Sequence, residues 1–252
     1  MISYTLFLSL FSAGMLEIFV PVLLGFYLCS KLGARWGVFF VGSAMFLLSM
    51  IRIPINSLAS TWVYSNTSGN LFLLLAMAFP SLTSGLFEEG ARWIAFRFFV
   101  KDHKLTNGLM YGAGHGGIES ILLVGVSVLG TAIYAYFYPQ LLSEDQLYIL
   151  SITPEWTAFA GLWERFAAIS FHLGMSVLVL QSVRLKKPIY LLTAIIAHFL
   201  FNFTAVYISQ YGLPAAEGVT TLWGLVALFY VWRMWRSERN MSFTDSVQKK
   251  KL

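Results

Sequence analysis

Seven apolar runs, each long enough to cross a bilayer, recur along this chain at roughly 4–28, 37–56, 70–97, 107–138, 155–181, 188–209 and 218–236. Hydrocarbon offers no water to satisfy backbone N–H and C=O groups, so a run of about 20 apolar residues there has to be helical. The pattern predicts an all-α, polytopic transmembrane helix bundle of about seven spans. Composition agrees: only 12% of the 252 residues are charged, about half the share of a soluble domain. No polar stretch is long enough to fold separately. Residues 1–236 therefore read as one transmembrane domain with a motif-bearing core of about 70–209, and 237–252 as a basic, polar tail expected to be disordered. The first run lacks a basic flank before it and an obvious cleavage site, and reads as a retained span. The single Cys29 excludes a disulfide framework and a cysteine zinc cluster.

The charges order the spans. Lys31 and Arg35 follow the first run, Arg97, Lys101 and Lys104 the third, and Arg184, Lys186 and Lys187 the fifth. Arg233, Arg236, Arg239 and residues 249–251 follow the seventh. Connections after runs two, four and six carry no Lys or Arg, so fourteen of seventeen basic residues sit on alternate connections. Those connections are expected to be cytoplasmic, with the amino terminus outside and the carboxyl terminus inside. The net charge of +5 is thus a topology signal and a contact for lipid headgroups rather than a nucleic-acid footprint.

A second set of charges falls inside the runs: Glu17, Arg52, Glu88, Glu89, Arg92, Glu119, Glu164 and Arg165, with His115, His172, His198 and Asn202. Burying a charge in hydrocarbon costs several kcal/mol, which marks such residues as functional or tightly paired. Glu88 lies 13 residues from Lys101, Glu119 15 from Lys104, His172 12 from Arg184 and His198 11 from Lys187. At 1.5 Å per residue the four reach nearly one depth, roughly 17–22 Å along their helices. Helical spacing aligns Glu88 and Glu89 with Arg92, His115 with Glu119, Arg165 with His172, and His198 with Asn202.

Carboxylates and imidazoles suit zinc, and a catalytic zinc has three protein ligands and a water whose pKa falls to about 7. A nearby Glu takes that water's proton, and an amide such as that of Asn202 can donate to a developing oxyanion. The single-helix HExxH signature is absent. The structural alternatives are a buried ion pair for Glu88, Glu89 and Arg92, and hydrogen bonding between helices for His198 and Asn202. Glu17, four residues before Pro21, reads as structural, Arg52 as snorkelling to the outer surface, and Glu164 with Arg165 as an orienting, neutralising pair.

The stretches "FEEGAR", "YGAGHGGIES", "ERFAAISFH" and "HFLFN" resemble the four motifs of the CAAX-protease and bacteriocin-processing superfamily of intramembrane proteases. They look most like its YhfC-like branch, beside the PrsW proteases. The resemblance covers about residues 85–205 and implies an intramembrane endopeptidase acting on a membrane-embedded or membrane-proximal protein or peptide. It implies that Glu88, of the Glu88–Glu89 pair with Arg92, activates water, and that Asn202 lies with His198 near the oxyanion. Metal ligation by Glu119, His172, His198 and His115 is the matching expectation, with zinc as the ion and a bacterial plasma membrane as the location. Where the wider superfamily usually has an aromatic residue this chain has His115. An ion-coupled transporter and a non-catalytic membrane regulator are the competing functions; a transporter often shows an internal repeat, and none is visible.

Overall fold

The computed structural model describes residues 2–249, with side chains described through residue 240. Among them are ten α-helices and no strand: α1 (Tyr4–Leu32), α2 (Trp36–Ser49), α3 (Arg52–Asn66), α4 (Gly69–Ile94), α5 (Leu105–Glu119), α6 (Val126–Phe137), α7 (Glu144–Ile152), α8 (Thr157–Arg184), α9 (Ile189–Ser209) and α10 (Leu213–Lys249). Seven candidate spans result, because α2 and α3 stack into one 31-residue rod and α5 and α6 into one of 33. The expected seven runs are all there.

Two boundaries differ from expectation. The second run was expected to end near residue 56, but after a break at Met50–Ile51 its helix restarts and continues to Asn66. Pro54 accounts for the break. It has no N–H for the Met50 carbonyl, which accepts instead from Ile53 N at 2.8 Å. The tail was expected to be disordered, yet α10 runs on to Lys249, with Glu238 ion-paired to Arg184 of α8. Residues 250–252 of that expectation lie outside the described residues. Pro80 lies inside α4, which runs on without a break.

Helix α8 is the central post. In its most apolar stretch 78% of residues are buried, against 17–28% in the other spans. It packs on α5, α10, α9 and α1, while α2 lies on the other side of α5 and α4 lies on α9. The outer surfaces expose large apolar side chains such as Phe26, Leu58, Phe98, Phe166 and Leu225, as lipid contact requires.

Glycines of "YGAGHGG" let α5 sit between its neighbours. A Cβ on Gly114 would lie 2.0 Å from the Phe39 carbonyl oxygen of α2, and one on Gly116 would lie 2.9 Å from Cδ2 of His172 on α8. Close backbone approach of this kind is how small residues bring membrane helices together. Gly114→Ala should therefore force α2 from α5, costing about 1–3 kcal/mol or more. An unchanged thermal midpoint in detergent would contradict the contact. Beyond Glu119 and Ile94 the helices pass into π-helical turns, Ser120–Gly125 and Ala95–Phe99. Such turns shift the register of the side chains that follow.

Candidate functional site

Four spans carry the polar groups inward. Glu88, Glu89 and Arg92 come from α4, His115 and Glu119 from α5, Arg165 and His172 from α8, and His198 and Asn202 from α9. Glu88, Glu89, Arg92, His115, His172 and His198 are all buried. The convergence predicted from matched depths is found, and its centre is Glu88.

Neighbouring positions on one helix point about 100° apart, so the two acids of "FEEGAR" have different surroundings. Glu88 Oε2 lies 3.0 Å from His115 Nε2 and 3.8 Å from His198 Nε2, and its Oε1 lies 3.0 Å from Arg52 Nη2. Glu89 turns away from the cavity. Its Oε1 accepts from His198 Nδ1 at 2.7 Å and its Oε2 pairs with Arg92 Nε at 3.2 Å. Helical spacing allowed Arg92 to hold either acid; packing gives it Glu89.

Arg92 also fixes α8. Its Nη1 donates to the His172 carbonyl at 2.8 Å and to Ser176 Oγ at 2.7 Å, and its Nη2 donates to His172 Nδ1 at 3.1 Å. Arg52 corrects an expectation. Rather than snorkelling outward, it turns inward from the α2–α3 break onto Glu88. Sequence reading missed this because the break, not the depth of residue 52, aims the side chain. Its signal was Pro54, two residues on.

These partners also decide where ring protons sit, because a neutral imidazole carries one. His198 donates its Nδ1 proton to the Glu89 carboxylate, so in the neutral ring the nitrogen without a proton is Nε2, on the Glu88 side. Metal-ligating histidines have this arrangement, with a carboxylate behind the ring. His172 is opposite: Arg92 can only donate, so Nδ1 accepts and the proton falls on Nε2, 2.7 Å from Glu119 Oε2. By distance alone, Glu88, His115 and His172 form a group whose ligand atoms lie within 4.8 Å of one another. A ring cannot ligate through a protonated nitrogen, so protonation favours His198 over His172 as the second imidazole, while His115, whose Nδ1 has no partner among the described residues, can carry its proton there and leave Nε2 free. Carboxylate and imidazole are donor types that suit a divalent ion such as zinc.

A cavity of about 280 Å³ opens beside this group, lined among others by Arg52, Glu88, Glu119, His172, His198 and Asn202. The Glu119 side chain is 20% exposed, against 3% for Glu88, and sits more openly in the cavity with Arg165 Nη1 at 3.4 Å. Arg165 also pairs with Glu164, as the orienting role anticipated. Asn202 has no side-chain hydrogen bond among the described residues, which leaves its amide open to a ligand. Glu17 is buried on α1 with both carboxylate oxygens unpartnered, outside the cavity lining.

A family model described as YhfC intramembrane metalloprotease matches residues 16–222, which include every residue above. Over 260 aligned residues the chain is 31% identical to the "Uncharacterized membrane protein YhfC" of Bacillus subtilis (strain 168), covering 95% of this chain and 99% of that one. No solved structure matches. The seven apolar spans and this relative make the chain an integral membrane protein.

Proposed function

Because the chain belongs to the YhfC intramembrane metalloprotease family, we propose that it is an endopeptidase cleaving a membrane-embedded or membrane-proximal protein within the bilayer of a bacterial plasma membrane. The observation that carries this reading is a buried Glu88 facing two imidazoles at the wall of a polar cavity. A structural ion pair needs neither the second acid nor the cavity.

Glu88, His115 and His198 would hold the ion, most simply zinc; bound there, it would polarise the scissile carbonyl and ease deprotonation of water. Glu119 takes the proton. We thereby exchange the roles that the motif resemblance implied for Glu88 and Glu119, because Glu88 is buried among Arg52, His115 and His198, whereas Glu119 is the more exposed of the two to the cavity. In the reaction, the water oxygen bonds to the carbonyl carbon and its proton passes to Glu119. The C–N bond then breaks, and the leaving nitrogen takes that proton back. His172, with its Nε2 proton beside Glu119, orients the carboxylate, and Arg165 Nη1 lies 3.4 Å from its other oxygen. Asn202 offers its amide to the oxyanion. Glu89 and Arg92 hold His198 and His172 in their tautomers.

The test joins metal content to cleavage. Purified protein should hold about one ion, His198→Ala should lose it, and His172→Ala should keep most of it while losing cleavage of a membrane-peptide reporter. Loss of the ion in His172→Ala alone would give the ligand role to His172. Cleaving protein that holds no metal would remove the ion from the proposal.

A further inference from the structure

The α2–α3 break leaves one charged donor unused. Arg52 Nη2 is engaged by Glu88 Oε1 at 3.0 Å, but Nη1 is buried and has no hydrogen-bond partner among the described residues. A buried charged donor left unpaired has given up its hydration for nothing in return. Such a cost is expected where a donor is reserved for a ligand. Arg52 lines the same cavity as Glu88, Glu119, His198 and Asn202, so a ligand for that donor shares the reacting space.

We propose that Arg52 is a catalytic residue, its Nη1 donating to the carbonyl oxygen of the substrate peptide as that oxygen becomes an oxyanion. This rests on the hydrolytic reading above and adds a residue from a fifth helix, α3, to the four that carry the motifs. The number of free donors selects the ligand. A terminal carboxylate is best held by both arms of the guanidinium fork, and one arm is committed to Glu88. A single oxygen needs one arm, and Asn202 supplies a second donor from α9. The charge is also matched in time: a neutral carbonyl gains little from a guanidinium, whereas an oxyanion gains a charge-assisted hydrogen bond. Arg52 lies at the first position of α3, whose main packing partner is α4, so replacing it leaves the packing between α5 and α8 in place.

Two pseudopeptides of the same hydrophobic sequence test this without turnover. One is phosphinic and carries the oxyanion; the other is a reduced amide without the oxygen. Arg52→Gln should weaken phosphinic binding about 10–100-fold, leave reduced-amide binding within about twofold, and keep the wild-type metal content, with a lowered thermal midpoint because Glu88 loses its cationic partner. Arg52→Lys should recover part of the loss. Equal weakening of both compounds, or of neither, would overturn the assignment, as would loss of the ion. A wild-type protein that cleaves no peptide would sink the hydrolytic reading itself and Arg52's role with it.

Discussion

Glu119→Gln should leave the ion bound and reduce cleavage on the order of 10²–10⁴-fold, while Glu88→Gln should lose ion and cleavage together. The contrast follows from the environments of the two acids. Glu88 sits with one oxygen between the Nε2 atoms of His115 and His198 and the other on Arg52. An amide there keeps the shape but removes an anionic ligand, and it offers N–H or oxygen where two imidazoles and a guanidinium face it. Glu119 touches His172 and Arg165 at the edge of the cavity. Gln there keeps the volume and removes the proton acceptor together with the charge facing Arg165, and the loss of the base is an effect in the range general bases supply. Metal analysis of both variants beside a reporter assay separates the roles. A Glu119→Gln protein without its ion, or one that cleaves at the wild-type rate, would restore Glu119 to the ligands or remove it from the chemistry.

Arg92→Met is expected to be the most destabilising single change in the site, by about 3–5 kcal/mol. Methionine fills much of the volume, so the loss is electrostatic rather than a cavity. Arg92 is fully buried and holds Glu89 Oε2, the His172 carbonyl, His172 Nδ1 and Ser176 Oγ. Without it Glu89 remains as a buried charge with only His198 for a partner. Denaturation of the detergent-solubilised protein measures the change. The double variant Arg92→Met/Glu89→Gln should recover part of the stability, since the stranded charge is gone, but not cleavage, because His198 loses the carboxylate behind its ring. A single variant as stable as wild type would mean that the ion pair does not hold α4 to α8.

How far the sequence reached depends on the range of each effect. The apolar runs are set by the bilayer over about 20 residues, so all seven spans could be read from the chain. The matched depths of Glu88, Glu119, His172 and His198 are properties of single helices measured from their charged ends, and the four converge as expected. Partner choice was not legible. Arg92 stands three residues from Glu89 and four from Glu88, and helix geometry permits both contacts; only packing against α8 and α9 gives it Glu89. Arg52 was misplaced because depth was counted along a continuous helix, whereas Pro54 ends one helix and begins another. The extension of α10 to Lys249 escaped for a different reason: a polar helix beyond the membrane has no apolar stripe to reveal it.

The most direct measurement is the X-ray absorption spectrum of the metal-loaded protein. Zinc held by Glu88, His115 and His198 predicts nitrogen and oxygen neighbours at about 2.0–2.2 Å, with imidazole scattering that weakens in His115→Ala and disappears with the ion in His198→Ala. A cleaving protein whose spectrum shows no bound metal, or a metal without imidazole neighbours, would contradict the account.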